Sequence, residues 1–478
     1  MNLTLSRDLP TPLIEQIVTG IARAIDESRL RAGQRMPSVR RAAAAWAVSR
    51  NSVVEAYDRL VATGYLQSVR GSGFYVRQPD RPVHHREPLP RESAEFDAVW
   101  MLRFGASADQ CHHRPGWGGL PADWLNQAGV RKALRDVSRR EGVSLTDYAH
   151  PAGSPELRMQ LHRKLEEIGV HADPGQILTT NGVSHGLDLV ARLLLKPGDT
   201  VLVDDPGYYT LFALLRTLGI RVVGIPRDED GPDLQALERA LSEHLPKAYF
   251  IITVLHNPTG TCIPPACAHQ LLRMAEQAGV TIVEDDIYGD FHPDSPLRLA
   301  ALDGLRNVVY INSFSKSMSS ALRLGYIAAD PELVSRLMDL KLVSTLTTSA
   351  IAEQVLLELL ASGQYRRFLS GLRARLDASR RRLLQRLEGL GFDVGADSGR
   401  GMYVWARLPD GLDAREIAQA GSRRGVLLAP GHVFRAHGEA SDRLRFNVAC
   451  SNHVEIYRVL EELLAAAGRD SPRRALPS

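Results

Sequence analysis

Lys316 closes the run Ser313-Phe314-Ser315-Lys316, and Arg323 follows seven residues later in Leu322-Arg323-Leu324-Gly325-Tyr326. A primary amine in such a turn can condense with an aldehyde. The hydroxyls of Ser313 and Ser315 and the Arg323 cation suit a phosphate on the same molecule. Alone, a Ser-x-Ser-Lys run is an ordinary surface turn, so the reading depends on what lies upstream.

The complementary groups occur there in a workable order. Asp285 ends the apolar, strand-like run Val280–Asp285, where a buried carboxylate can pair with a pyridinium nitrogen and keep it protonated. Tyr288, three residues on, and Asn257, in His256-Asn257-Pro258-Thr259-Gly260, can both donate to a ring phenolate oxygen. Gly182, Val183 and Ser184 open an amphipathic helical stretch, whose free N–H groups and dipole favour a phosphate. Tyr208, after Asp205-Pro206-Gly207, can stack on the ring, and the fork of Arg445 suits a carboxylate. Each piece also has a plain structural explanation: an Asn-Pro turn, a strand-to-helix turn, a core tyrosine. Together they describe a site for pyridoxal 5'-phosphate.

In order and spacing, Gly182, Tyr208, Asn257, Asp285, Lys316, Arg323 and Arg445 resemble the fold-type I aminotransferases, over roughly the last three-quarters of the chain. The resemblance implies an α/β domain with a mixed, mostly parallel sheet, helices on both faces and a smaller C-terminal α/β subdomain. It also implies a homodimer in which Tyr148, in Tyr148-Ala149-His150-Pro151-Ala152-Gly153, reaches the partner's cofactor phosphate. Many relatives carry Pro-Gly ahead of the phosphate arginine. Here Ser320-Ala321 precede Leu322-Arg323, which alters the turn without removing a phosphate ligand.

Residues 1–77 read as a separate domain. They hold eleven arginines, no lysine and six acidic residues, while the whole chain is only +3, so the positive charge is local. Composition alone allows an RNA-binding or acidic-partner surface, or a solvated arginine-rich face. The pattern is more specific. Leu13, Ile14, Ile17, Ile21 and Ile25 recur at helical spacing, Pro37-Ser38 opens a second helix, and a third begins at about Arg50. Tyr65–Val69 and Phe74–Val76, separated by Arg70-Gly71-Ser72-Gly73, predict a hairpin wing.

Pro37-Ser38-Val39-Arg40, Val48-Ser49-Arg50-Asn51-Ser52-Val53, Gly64-Tyr65-Leu66 and Gly71-Ser72-Gly73 resemble the GntR-type winged helix-turn-helix. The resemblance implies double-stranded DNA contacts by Arg40, Ser49, Arg50, Asn51 and Ser52, with Gly71 letting the wing approach the minor groove. Such a domain ahead of an aminotransferase-like one resembles the MocR subfamily of regulators over nearly the full chain. Two functions follow: a transcriptional regulator that senses pyridoxal phosphate, an amine or an amino acid, or a working aminotransferase with a DNA-binding appendage.

The expected organisation is a winged helix over 1–77, a Pro-rich linker over 78–100, the aminotransferase-like domain over 101–467 and a disordered tail over 468–478. The sequence shows neither a membrane-spanning run nor a signal peptide, and Cys111, Cys262, Cys267 and Cys450 are too scattered for a disulfide framework. A cytoplasmic protein is expected. Cys111-His112-His113 lacks a second ligand pair at zinc-like spacing, so a loop is the plainer account and no metal is expected.

Overall fold

The structure, a computed structural model, describes residue 3 and residues 5–77, 97–106, 111–395 and 399–470. The chain divides into two compact units, Met1–Glu92 and Ser93–Ser478.

In the first unit, α1 (Leu13–Asp26), α2 (Val39–Trp46) and α3 (Arg50–Ala62) pack their apolar stripes around Ile17, Ile21, Trp46, Val53 and Leu60. Ser38 and Ser49 start α2 and α3 by accepting from the N–H groups of Arg41 and Ser52, which satisfies donors that each helix leaves free. The turn between them passes through Ala47 in the left-handed region, φ 53°. Strands β1 (Leu66–Val69) and β2 (Gly73–Val76) form the antiparallel wing, with Leu66 opposite Val76. Tyr57 ties these parts together: its ring lies 4.9 Å from Phe74 of the wing and 6.4 Å from Trp46, and its hydroxyl donates to Pro37 O at 3.0 Å.

The second unit is built on an eight-stranded sheet. Its strands are β3 (Ile177–Thr180), β4 (Thr200–Asp205), β5 (Arg221–Asp228), β6 (Gly231–Pro232), β7 (Ala248–Ile251), β8 (Thr281–Asp285), β9 (Val308–Ser313) and β10 (Gly325–Ala328), in the order β3-β10-β9-β8-β7-β4-β5-β6. From β9 to β5 the pairing is parallel, whereas β10 runs antiparallel to both β9 and β3. β7 and β9 are buried at every position, as expected of strands covered on both faces. A smaller antiparallel sheet, β11 (Tyr403–Arg407), β12 (Ala429–Pro430) and β13 (Arg443–Asn447), has the order β11-β13-β12 and forms the C-terminal subdomain.

Two expected boundaries shift. A helix, α4 (Ala98–Ala106), starts inside the stretch read as linker, because Trp100 and Met101 are apolar enough to bury. The last helix, Val454–Asp470, continues into the expected tail. Most of the linker, and residues 471–478, lie outside the described residues. Among the described residues no helix is long and apolar enough to cross a membrane.

Because Tyr57 is fully buried between helices and wing, Tyr57→Ala is expected to cost about 3–5 kcal/mol. In a thermal melt the winged helix should unfold early and DNA binding should be lost, while the main transition of the larger unit stays in place. A wing that remains folded would contradict this packing.

Candidate functional site

Parallel pairing brings the carboxyl ends of β4, β7, β8 and β9 to one edge of the sheet, and the strand order reverses between β4 and β7, where α/β sheets form their crevices. The loops leaving those ends carry Tyr208, Asn257, Asp285 with Tyr288, and Lys316. Tyr208 and Asp285 line one small cavity. Asp285 is buried, and its Oδ1 accepts from the Ile287 N–H at 3.1 Å. Desolvation pushes its carboxyl up to about 7, with the charge of Asp286 adding to the effect and Lys316 opposing it. Desolvation also pushes the Lys316 amine down to about 8, helped by Arg445 and Arg323 and opposed by Asp285. An amine with that affinity for protons is partly neutral near physiological pH and therefore nucleophilic.

Gly182 is the N-cap of the helix Val183–Leu194, at φ +80°. The backbone conformation requires glycine there, and a Cβ would lie 2.7 Å from Arg323 Nη2, so any side chain would push the arginine's fork aside. Among the described residues Arg323 makes only long hydrogen bonds, 3.4 Å to Ser315 Oγ and 3.5 Å to Asn181 O, which leaves its fork available at the helix N-terminus. Ser320-Ala321 therefore still deliver Arg323 to the glycine turn, with Arg323 itself at φ +48°. Ser313 is fully buried. Its hydroxyl donates to Leu324 O at 3.0 Å and lies 2.9 Å from Ser315 Oγ, holding the lysine turn in shape. Val183 is buried and Ser184 exposed on the first turn of the helix.

Arg445 is 1% exposed. Its Nη1 donates to Asn257 Oδ1 at 2.8 Å and its Nη2 to Gly116 O at 2.7 Å, and its guanidinium lies 4.3 Å from the Tyr403 ring centroid and 4.9 Å from that of Phe434. Asn257 Nδ2 donates to Tyr288 Oη at 3.2 Å, and Tyr288 Oη lies 3.3 Å from Tyr403 Oη. One polar chain thus joins Arg445, Asn257 and Tyr288.

Several participants were not anticipated from the sequence. The segment Pro115-Gly116-Trp117-Gly118-Gly119 crosses the site: Gly118 O accepts from Lys316 Nζ at 2.7 Å and from Tyr403 Oη at 2.9 Å, and Asn447 Nδ2 donates to Trp117 O and Gly119 O. A Cβ on Gly116 would come within 2.4 Å of Ala429 N, so the glycine-rich composition was a readable sign of close backbone approach. Behind the lysine, Tyr365 Oη donates to Ser317 Oγ at 2.8 Å and also binds Asp290, which Lys164 neutralises. Tyr148 is 80% exposed and makes no contact with these groups. His113 stacks on His453, with ring centroids 4.2 Å apart.

On the winged helix, Arg40, Ser49, Arg50, Asn51 and Gly71 are exposed and Ser52 is half-buried. Ser49 Oγ caps α3 by accepting from the Ser52 N–H at 3.0 Å and lies 2.8 Å from Ser52 Oγ, so the two hydroxyls are hydrogen-bonded to each other. Arg35, not anticipated, donates to Ser72 O at 2.6 Å and pins the wing tip, where Gly71 sits at φ +77°.

The buried charges set a pH dependence. Asp285 holds its proton more tightly folded than unfolded, so its contribution to stability falls as pH rises from the ordinary carboxylate range through about 7. Asp285→Asn is therefore expected to stabilise the cofactor-free protein by about 1–3 kcal/mol at pH 8, an advantage that disappears towards pH 4. Urea titrations at the two pH values check it; destabilisation at pH 8 would contradict it.

Two family models match the chain: Bacterial regulatory proteins, gntR family, over residues 13–76, and Aminotransferase class I and II, over residues 125–463. HTH-type transcriptional regulator YdcR of Escherichia coli is 30% identical over 93% of this chain and 94% of its own length. TauR of Rhodobacter capsulatus, also an HTH-type transcriptional regulator, is 29% identical over 88% of each. The 2-aminoadipate transaminase of Thermus thermophilus is 32% identical over 70% of this chain and 84% of its own. Among solved structures, the α-aminoadipate aminotransferase LysN of Thermus thermophilus, complexed with N-(5'-phosphopyridoxyl)-L-leucine, superposes with a TM-score of 0.70 at 27% identity, over 77% of this chain and 95% of that one. The order of the two matches, with a winged helix ahead of a fold-type I domain, places this chain among the gntR-family regulators that carry a class I and II aminotransferase domain, the MocR type of architecture.

Proposed function

We propose that this protein is a cytoplasmic, homodimeric DNA-binding regulator whose larger unit holds pyridoxal 5'-phosphate at Lys316 and reads a small amine or amino acid, or the cofactor itself. The observation that carries this reading is the gathering of Lys316, Asp285, Asn257, Tyr288, Gly182 and Arg323 at one sheet edge, in a chain that also presents a capped, exposed recognition helix.

The residues present fit the cofactor. The Gly182 turn, its helix N-terminus and Arg323 form a phosphate cradle that a Cβ would fill, and among the described residues Asp285 has no cationic hydrogen-bond partner of its own. When bound, the cofactor supplies an electron-withdrawing ring. The chain's part is to hold and tune. Asp285 would pair with the ring nitrogen, and its high proton affinity suits sharing a proton there. Asn257 and Tyr288 would donate to the ring oxygen, Tyr208 would cover a ring face, and Lys316 would give the nucleophilic amine. Arg445 would take an effector carboxylate in place of Gly116 O. Tyr148, exposed in the protomer, is free to complete the partner's phosphate site.

A working aminotransferase remains the second reading, supported by the complete set of cofactor-handling groups. What favours the regulator is the winged helix, since an enzyme has no use for a base-reading surface. A ligand shifts DNA binding only by as much as it prefers one dimer state over the other.

Purified protein is expected to be yellow, with borohydride trapping the cofactor on Lys316 and no trapping in Lys316→Ala; a label on another lysine would overturn the assignment. Arg445→Ala should keep the cofactor and basal DNA binding while losing the response to a carboxylate-bearing amine in a reporter assay. Where the effector is pyridoxal phosphate itself, the same variant should regulate normally. At the DNA, Arg40→Ala and Arg50→Ala should each cost about 1–3 kcal/mol for a bidentate base contact, with relaxed specificity. A uniform loss on all sequences with a smaller salt slope would instead mark phosphate contacts.

A further inference from the structure

The small sheet extends beyond the site described above. Across β11 and β13, Tyr403 faces Asn447, Trp405 faces Arg445 and Arg407 faces Arg443, and residues paired in this way share one face. That face runs from the Lys316 site at Tyr403 outward to a separate cleft of about 820 Å³, whose lining includes Trp405, Arg407 and Arg443 but not Lys316, Asp285 or Arg445. The opposite wall includes Asp205 and Pro206, just ahead of Tyr208, and Thr259 and Thr261, just behind Asn257.

The charges of this cleft are unevenly satisfied. Like charges directly opposite on antiparallel strands destabilise a sheet, yet Arg407 and Arg443 stand so. Arg407 has acids nearby, Asp442 at 3.4 Å and Asp393 at 3.9 Å. Arg443 does not: among the described residues its half-buried guanidinium makes no hydrogen bond or ion pair, and Asp442 and Asp393 act on it only at longer range. Most other acids of the cleft are engaged: Asp205 pairs with Arg435 at 2.8 Å, Asp233 and Asp413 cap helices and Asp228 accepts from the Asp230 N–H, while Glu229 is exposed. In the same lining, Arg227 is fully buried and pairs with Asp204 at 2.9 Å, while its Nε and Nη2 have no hydrogen-bond partner among the described residues. A guanidinium partly out of water, next to a like charge and with its fork unused, is suited to a ligand.

We propose that this cleft is a second small-molecule site, separate from that of the cofactor, for a ligand carrying an oxyanion, gripped by Arg443 with Arg407 alongside and Trp405 against the ligand's body. Carboxylates and phosphate esters share the chemistry that the guanidinium fork recognises. A ligand seated there touches the loops that deliver Tyr208 and Asn257, so its binding is linked to cofactor and effector binding through those two side chains.

The test uses cofactor-loaded, full-length protein with Arg445→Ala, which removes the carboxylate fork proposed above, compared with the same protein carrying Arg443→Gln in addition. Inorganic phosphate and succinate are titrated separately by calorimetry. Saturable binding of at least one probe is expected, weakened by about tenfold or more when Arg443 is lost. Phosphate alone would mark a phosphate-ester ligand, and succinate alone a carboxylate. Folding is checked by melting: adding Arg443→Gln to the Arg445→Ala parent should leave it melting no lower than that parent in probe-free buffer, because it removes a like-charge pair, and the probe should no longer raise its melting temperature. Absence of saturable binding in the parent, or binding indifferent to Arg443, would overturn the proposal. A parent that binds a probe through Arg443 yet fails to retain the cofactor would refute the cofactor reading alone.

Discussion

One dry pocket holds an amine, a carboxylate and a guanidinium, and much of the larger unit serves to make that tolerable. Lys316 binds its proton less tightly than an ordinary lysine and Asp285 more tightly than an ordinary aspartate, because both have lost water. Arg445 is surrounded by acceptors and ring faces. Parallel strands supply the geometry. Their carboxyl ends bring Asn257, Asp285 and the lysine turn to one edge, and the antiparallel β10 brings the Arg323 loop back beside Gly182. The glycine segment 116–119 closes the arrangement with backbone carbonyls, acceptors that add no further charge.

The same construction explains why a site of this kind can report on a ligand. Gly116 O and Gly118 O are neutral partners for Arg445 and Lys316, and a charged carboxylate binds a guanidinium more strongly than a carbonyl does. The segment that carries these carbonyls follows α4, the first described helix after the winged helix in chain order. A ligand that replaced Gly116 O would therefore act on a segment outside the regular helices and strands, one held by the Gly116 N–H to Leu427 O and by Asn447 to Trp117 O and Gly119 O.

The site was legible in the sequence where residue type and spacing carried the chemistry. Lys316, Asp285 and Arg445 were found because an amine in a serine turn, a carboxylate at a strand end and an arginine in a strand each imply a partner. The small sheet escaped because its role comes from register: nothing local indicates that Tyr403 will face Asn447 or meet Tyr288. From the sequence, Ser313 is expected to meet a phosphate and Ser49 to contact DNA, but the sequence cannot show that the first fastens the lysine turn and the second caps α3. The linker ended earlier than its prolines suggested, since Val99-Trp100-Met101 carry enough apolar surface to fold as helix.

The central claim, that effector and DNA are coupled through one protein, is tested most directly by measuring the linkage in both directions. Operator affinity is titrated at increasing concentrations of a carboxylate-bearing amine, and the affinity for that amine is measured with and without saturating operator. The account predicts the same coupling factor from both experiments, and its disappearance in Lys316→Ala. An amine that binds equally well with and without operator, while the protein turns it over as a substrate, would contradict the account and identify an enzyme whose DNA-binding unit works independently.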